Sequence, residues 1–274
     1  MVDRIFWVRP TTLILVLLAA MLSGDVLASS SVAFAVRAHQ HAPMIFRGRR
    51  GASLSSSNWS GYVVTGADHS VTSAKGSWIV PIVQGACTST DQFAATWVGI
   101  DGVTSNTVEQ LGTDADCQGG MPVYFAWYEI FPRRAMIIES VPVSPGDHIS
   151  AEVSFTGHRF TLSMNNLTTG AVFTKNVWLL RAKRSSAQWI TEAPSSGLGL
   201  LLPLANFGTV SYGADFTGAP DTCEATVDGV TGAVGSFAAA QSITMESESE
   251  AKATPSALSD DGSSFSITWD SSGP

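Results

Sequence analysis

Ten short runs of alternating apolar and polar residues, with turn chemistry separating several of them, limit what this chain can fold into. They are Tyr62 to Thr65, Gly76 to Val80, Ala94 to Ile100, Val123 to Phe131, Ile149 to Phe155, Arg159 to Asn165, Ala171 to Val177, Gln188 to Glu192, Phe207 to Tyr212 and Ser264 to Trp269. A period of two sends successive side chains to opposite faces of a strand. Ser144-Pro145-Gly146-Asp147, Thr156-Gly157-His158 and Thr168-Thr169-Gly170 supply turns between several of them. The clearest case is 159–177, a hairpin in which Phe160, Leu162 and Met164 alternate with polar neighbours. Beyond the N-terminal apolar stretch and a short turn near Leu198 to Ala205, no sustained 3.6-residue period appears. There is no internal repeat and no long linker. Residues 51–274 therefore read as one all-β domain, an antiparallel β-sandwich of two stacked sheets. At about 220 residues such a domain buries a full core.

The N-terminus reads differently. Arg4 and Arg9 precede an apolar core from Leu13 to Leu22, and Val26-Leu27-Ala28 offers a small-residue cleavage site, with a second at Ala33-Phe34-Ala35. This pattern predicts a signal peptide over 1–28, cut alternatively at 35, and hence secretion. The apolar stretch falls short of the roughly 20 residues a spanning helix needs, so no stable membrane association is expected. Residues 29–50 form a leader, and from 36 onward it holds Arg37, Arg47, Arg49, Arg50, His39 and His41 with no acid. The rest, 51–274, sets nine Lys and Arg against 21 Asp and Glu, a net charge of −12. Such a leader is either a pro-segment held by charge and released when carboxylates protonate, or a disordered basic stub. The acidic balance excludes nucleic acid as a partner, because phosphates demand cations. Charged residues are only 14% of the chain against a typical ~25%, which suits an acidic medium.

Cys87, Cys117 and Cys223 are an odd set. In an exported protein one pair is expected, and Cys87 with Cys117, both in polar stretches, is the pairing favoured over three unpaired thiols. No spacing resembles a zinc site.

The chemistry must run on carboxylates and amides. There is no G-x-S-x-G elbow for a serine triad, no H-E-x-x-H, no His pair for a catalytic metal and no credible Cys–His pair. Instead, strand-like segments carry polar groups on faces that otherwise read as buried. Gln110, Gly112 and Asp114 share one face; Phe125, Trp127 and Glu129 share another; Gln188, Ile190 and Glu192 share a third. Together these faces can make one acidic pocket. A Glu can exchange protons with water and a leaving amine, and a side-chain amide can stabilise an oxyanion without titrating.

The order of motifs resembles the glutamic peptidases, family G1, also called eqolisins. The matching pieces are Asn58-Trp59-Ser60-Gly61-Tyr62, Gly76-Ser77-Trp78-Ile79-Val80-Pro81 and Trp97-Val98-Gly99-Ile100-Asp101-Gly102. They continue through Gln110-Leu111-Gly112-Thr113-Asp114, Ala126-Trp127-Tyr128-Glu129, Val143-Ser144-Pro145-Gly146-Asp147, Asn166-Leu167-Thr168-Thr169-Gly170, Trp189-Ile190-Thr191-Glu192 and 261–269. The resemblance implies a secreted acid endopeptidase, insensitive to pepstatin, monomeric and acting on polypeptides without a cofactor or metal. It assigns Gln110 and Glu192 as the catalytic dyad and Asp101, Asp114, Trp127 and Glu129 to the cleft, where acidic neighbours would raise the Glu192 pKa. It also implies a removable basic pro-segment.

Two departures bear on the cleft. Phe125 stands where fungal relatives carry Asp, and Gln188 where they carry Glu, so this cleft has lost two carboxylates. The loop 103–107 lacks the Cys found there in fungal forms, so their disulfide pattern does not transfer. Asn58-Trp59-Ser60 and Asn166-Leu167-Thr168 are formal glycosylation sequons but read as structural, and a bacterial host, which the spare leader suggests, would not use them. Two other functions fit the same sandwich: a glycoside hydrolase with Glu129 and Glu192 as its carboxyl pair, and a lectin-like binding module without a reaction.

Overall fold

The computed structural model describes residues 39–50, 53–87, 90–248 and 250–273. The signal-peptide reading of 1–28, the alternative cut at 35 and the leader up to residue 38 lie outside the described residues.

The strands in chain order are β1 (Phe46–Arg50), β2 (Ser53–Ser56), β3 (Trp59–Thr65), β4 (Val71–Ile79), β5 (Ala95–Ile100), β6 (Val108–Gln118), β7 (Met121–Phe131), β8 (Met136–Ile137) and β9 (His148–Thr156). There follow β10 (Arg159–Asn166), β11 (Val172–Trp178), β12 (Ser186–Glu192), β13 (Thr209–Tyr212), β14 (Glu224–Val227), β15 (Val230–Ala233), β16 (Ala240–Ser247), β17 (Glu250–Pro255) and β18 (Phe265–Trp269). The fold is nearly all-β and antiparallel, the sandwich that the sequence pattern predicts.

One layer runs β1-β2-β16-β3-β12-β5-β6-β7-β8, with the β2–β16 pair parallel, and a β16–β17 pairing joins it to the other layer. The other carries β11-β10-β9-β4-β14-β15, with β13, β18 and β17 alongside. Between them lies the main core, where Val98, Leu111 and Trp189 of the first sheet join Ile149, Val153, Phe160 and Leu162 of the second. Alternation places these residues: in β10 the inward Phe160, Leu162 and Met164 are buried while Arg159 is exposed.

Three features differ from the sequence pattern. The stretch Leu198 to Ala205 is not helical but irregular, tied by bridges at Leu201 and Leu204. The helices among the described residues are Ala214–Thr217 and a 3-10 turn at Val234–Ser236. Four strands, β14 to β17, occupy a region where no alternation is legible, because their short Ala-, Ser-, Thr- and Glu-rich runs carry few large apolar residues. Cys117, read as a loop residue, is near the end of β6, and it is disulfide-bonded to Cys87, leaving Cys223 free and buried.

Candidate active site

Strand register assembles the site on the first sheet's outer face. Gln110 pairs with Glu129 across β6–β7 and with Gly99 across β5–β6. Ala95 lies opposite both Asp114 and Glu192, and Glu192 lies opposite Trp59. With a period of two, one face therefore carries Trp59, Glu192, Ala95, Trp97, Gln110, Asp114, Phe125, Trp127 and Glu129. Trp59, Ala95, Trp97, Phe125 and Trp127 form a second apolar cluster there, distinct from the main core. Gly112 lets β5 and the Trp97 side chain approach closely: a Cβ at 112 would stand 2.3 Å from the Thr96 carbonyl oxygen and 2.5 Å from the Trp97 Cβ. The Trp97 indole then reaches Glu192, donating from Nε1 to Oε2 at 2.9 Å.

The cleft is filled by the chain's own leader. Residues His39 to Ile45 cross the site and continue into β1, which pairs with β2. Gln110 Nε2 donates to the His41 carbonyl oxygen at 2.6 Å. The Ala42 N–H donates to Glu192 Oε1 at 3.1 Å, and Asn58 Nδ2 approaches the same oxygen at 3.5 Å. The Ala42 carbonyl accepts from Trp59 Nε1 at 3.1 Å and Asn58 Nδ2 at 3.3 Å. The C-terminal part of the leader is thus in direct contact with the site residues.

His41 is the centre of the contact. Its ring is wholly buried and stacks on Trp127 with centroids 3.5 Å apart and planes 2° from parallel. Nδ1 lies 3.1 Å from Glu129 Oε2 and Nε2 3.4 Å from Asp114 Oδ1, and the His41 N–H donates to Glu129 Oε2 at 2.8 Å. Burial alone would lower the imidazole pKa, but Asp114 and Glu129 outweigh it and push it up to about 10. This favours the cationic ring, with Nδ1 hydrogen-bonded to Glu129 and Nε2 in ion contact with Asp114 but without a hydrogen bond. One residue pair earlier, His39 sits edge-on to Phe93, with Nε2 3.5 Å from Asp116 Oδ2.

Glu192 is fully buried, and its carboxyl is held well above the usual range. Burial is the largest cause; His41 opposes it, and Glu129 and Asp114 add to it. Like-charge repulsion, the expected cause, is secondary. Asp116 is also pushed up, to about 6, by burial and then by Asp114.

The other sequence-predicted residues divide. Asp114, Trp127 and Glu129 meet on His41, and Phe125 lies opposite Asp114 in register. Gln188 shares the Glu192 face but lies two register positions beyond Ile190, where its amide donates to the Ser186 hydroxyl. Asp101 is a correction: it does not line the cleft. It sits at φ 74 just past β5, and its carboxylate accepts from the N–H groups of Arg184 and Ser185 at 2.8 and 2.9 Å. It therefore shapes the turn into β12. Asn58, Trp59, Trp97 and His41 are site residues that sequence reasoning missed. The available signal was an acid-free leader with two His beside an acidic domain. The sequon asparagines are structural: both are fully buried, Asn58 on the leader and Asn166 bonded to Asp147 at 2.8 Å.

Among the described residues, one group offers converging metal-ligand atoms: His39, Asp114 and Asp116, all within 4.8 Å of one another. One of the three, His39, comes from the leader segment. Two open cavities are separate from the dyad residues. A cavity of about 440 Å³ lined by His39, Gln40, Arg134, Ala135 and Gly197 opens where the leader enters, and one of about 470 Å³ lies by Arg133, Lys175 and Trp178. No helix among the described residues is long and apolar enough to cross a membrane.

Residues 57–269 match the model of the Peptidase A4 family. The chain belongs to this family, the glutamic peptidases. It is 32% identical to aspergillopepsin-2 of Aspergillus niger over 180 residues, which is 57% of this chain and 62% of that one. The chain thus spans less than two thirds of that relative's length. The crystal structure of scytalido-glutamic peptidase with a transition state analog inhibitor superposes with a TM-score of 0.63 at 25% identity, covering 78% of this chain and 98% of that one. SCP-B, an eqolisin solved with the tripeptide Ala-Ile-His, gives 0.59 at 26% identity with the same coverage.

Proposed function

We propose that the chain is a secreted, monomeric endopeptidase that hydrolyses peptide bonds in acid through Gln110, Glu192 and a water molecule, insensitive to pepstatin. The observation that carries this reading is a peptide bond held between the two dyad side chains, with its carbonyl on the Gln110 amide and its N–H on the Glu192 carboxylate. Glu192 exchanges protons with the water as its oxygen attacks the carbonyl carbon. The Gln110 N–H stabilises the oxyanion, and Glu192 returns the proton to the leaving nitrogen. Gln110 Oε1 is buried without a partner among the described residues and so can accept from the attacking water. Trp59 and Asn58 hold the following carbonyl and set the direction of the substrate. Burial keeps Glu192 protonated to a higher pH than a solvated carboxyl, which suits it to supply a proton to the leaving nitrogen in acid.

Secretion is supported by the N-terminal sequence pattern, and the polypeptide substrate class by the family. A glycosidase using Glu129 and Glu192 has no need of Gln110 on a peptide carbonyl. The test is digestion of denatured casein from pH 2 to 7 by wild type, Gln110→Ala and Glu192→Gln, with and without pepstatin. Acid-range cleavage lost in both variants and untouched by pepstatin is expected. A folded wild type that cleaves nothing sinks the proposal.

A further inference from the structure

A peptide is already seated on the dyad in one register. Gln40 exchanges both backbone hydrogen bonds with Ser195, at 3.0 and 2.8 Å, and the Met44 N–H donates to Gly102 O at 3.0 Å. β1 then anchors the segment on β2. The strap is thus pinned on both sides of the His41–Ala42 bond. Among the described residues, no other bond of the strap has its carbonyl on Gln110 and its N–H on Glu192.

We propose, on the peptidase reading above, that His41–Ala42 is the chain's own processing bond, cut in cis by Gln110 and Glu192, and that the pocket of Asp114, Trp127 and Glu129 selects it by gripping the His41 side chain. Hydrolysis balances without any co-reactant beyond water. The water oxygen bonds to the His41 carbonyl carbon, the C–N bond breaks, and the second proton reaches the Ala42 nitrogen through Glu192. The products are a leader ending in the His41 carboxylate and a domain beginning with the Ala42 amine. The new carboxyl group forms beside Glu129 and Glu192, and this crowding of acidic groups favours release of the leader. Residues 42–50 stay attached through β1.

The grip on His41 is specific in kind. A flat cation fits between the Trp127 face and two carboxylates. A neutral aliphatic side chain would leave those carboxylates buried without it. The same pocket then favours an imidazole or comparable cationic side chain immediately N-terminal to the bond cut in other polypeptides.

The test uses the full chain, with casein present as a second substrate. Wild type, Glu192→Gln and His41→Ala are brought to pH 4 and followed by intact mass and N-terminal sequencing. We expect wild type to convert to a form beginning at Ala42, with a half-time unchanged on hundredfold dilution. Glu192→Gln should remain whole, and His41→Ala should lose this cut at least tenfold. Wild type that digests casein while His41–Ala42 survives, or that matures at another bond, overturns the proposal and leaves the peptidase reading standing. Equal cutting of His41→Ala overturns the pocket's role. Failure to digest either casein or itself defeats both readings.

Discussion

The two sheets bury their strands in different ways. In β9 and β10 burial alternates, apolar residues facing the core and polar ones facing out. In β5, β6 and β12 every residue is buried, although β6 and β12 carry Gln110, Asp114, Gln188 and Glu192 on one face. The inner face of these strands meets the core as in any sandwich. The outer face is closed by the Trp59, Trp97 and Trp127 side chains and by the leader. Burying carboxyl and amide groups costs several kcal/mol unless they are partnered. Here Ala42 and Trp97 bond Glu192, the His41 carbonyl takes the Gln110 amide and His41 bonds Glu129, while Asp114 has only the His41 ring at 3.4 Å. One sheet is organised for packing, the other for holding a peptide.

The sharpest way to break this comparison is to move the same chemistry off the site. Gln110→Ala or Glu192→Gln is expected to lower kcat at least 10²- to 10³-fold, the usual loss on removing an oxyanion donor or proton carrier. Thermal stability of Glu192→Gln should hold or rise near neutral pH, because a buried carboxyl with a raised pKa no longer has to ionise. Leu162→Ala in the packing sheet should do the reverse. It is fully buried, so the expected loss is about 2–5 kcal/mol of stability by denaturant titration, with normal activity per folded molecule.

Two pH experiments sharpen the contrast. His41 has a docked pKa of about 10 against 6.5 when free, so its contribution is complete below 6.5 and is lost as pH rises through about 10. In the uncut Glu192→Gln chain, strap docking should weaken by up to about tenfold per pH unit across that window. Hydrogen exchange of the Ala42 amide would read this, and His41→Ala should flatten it. Asp116, raised from 3.8 to about 6, adds stability that is complete below 3.8 and lost as pH rises through about 6. Asp116→Asn should therefore flatten the stability profile between those values in denaturant melts. The smallest effect is expected on the exposed face of β11, where Lys175→Ala should change stability by no more than about 0.5 kcal/mol.

The sequence was most legible where one face meets water. The 159–177 hairpin reads directly because Phe160, Leu162 and Met164 stand out against polar neighbours, and β10 and β11 pair there in a regular register from Arg159↔Trp178 to Asn165↔Val172. It was least legible over β14 to β17, where small residues give alternation no contrast. Asp101 was misplaced because it adjoins a site strand in sequence, while its φ of 74 turns it toward the Arg184 loop. Asn58 and Trp59 belong to a quoted motif, yet nothing local reveals that their side chains grip the Ala42 carbonyl.

What the sequence alone determined is the alternation, the turn chemistry, the acidic body behind a basic leader and the strand faces bearing Gln110, Asp114, Trp127, Glu129 and Glu192. A period of two states which residues share a face. It does not state which strands lie side by side, because pairing joins segments as distant as Glu192 and Trp59. Tertiary structure alone decided that Glu129 stands opposite Gln110, that Trp97 reaches Glu192 over Gly112, and that the His41–Ala42 bond rests on the dyad. Each depends on long-range register and on a cleft deep enough to exclude water, and neither is written in any local run of residues.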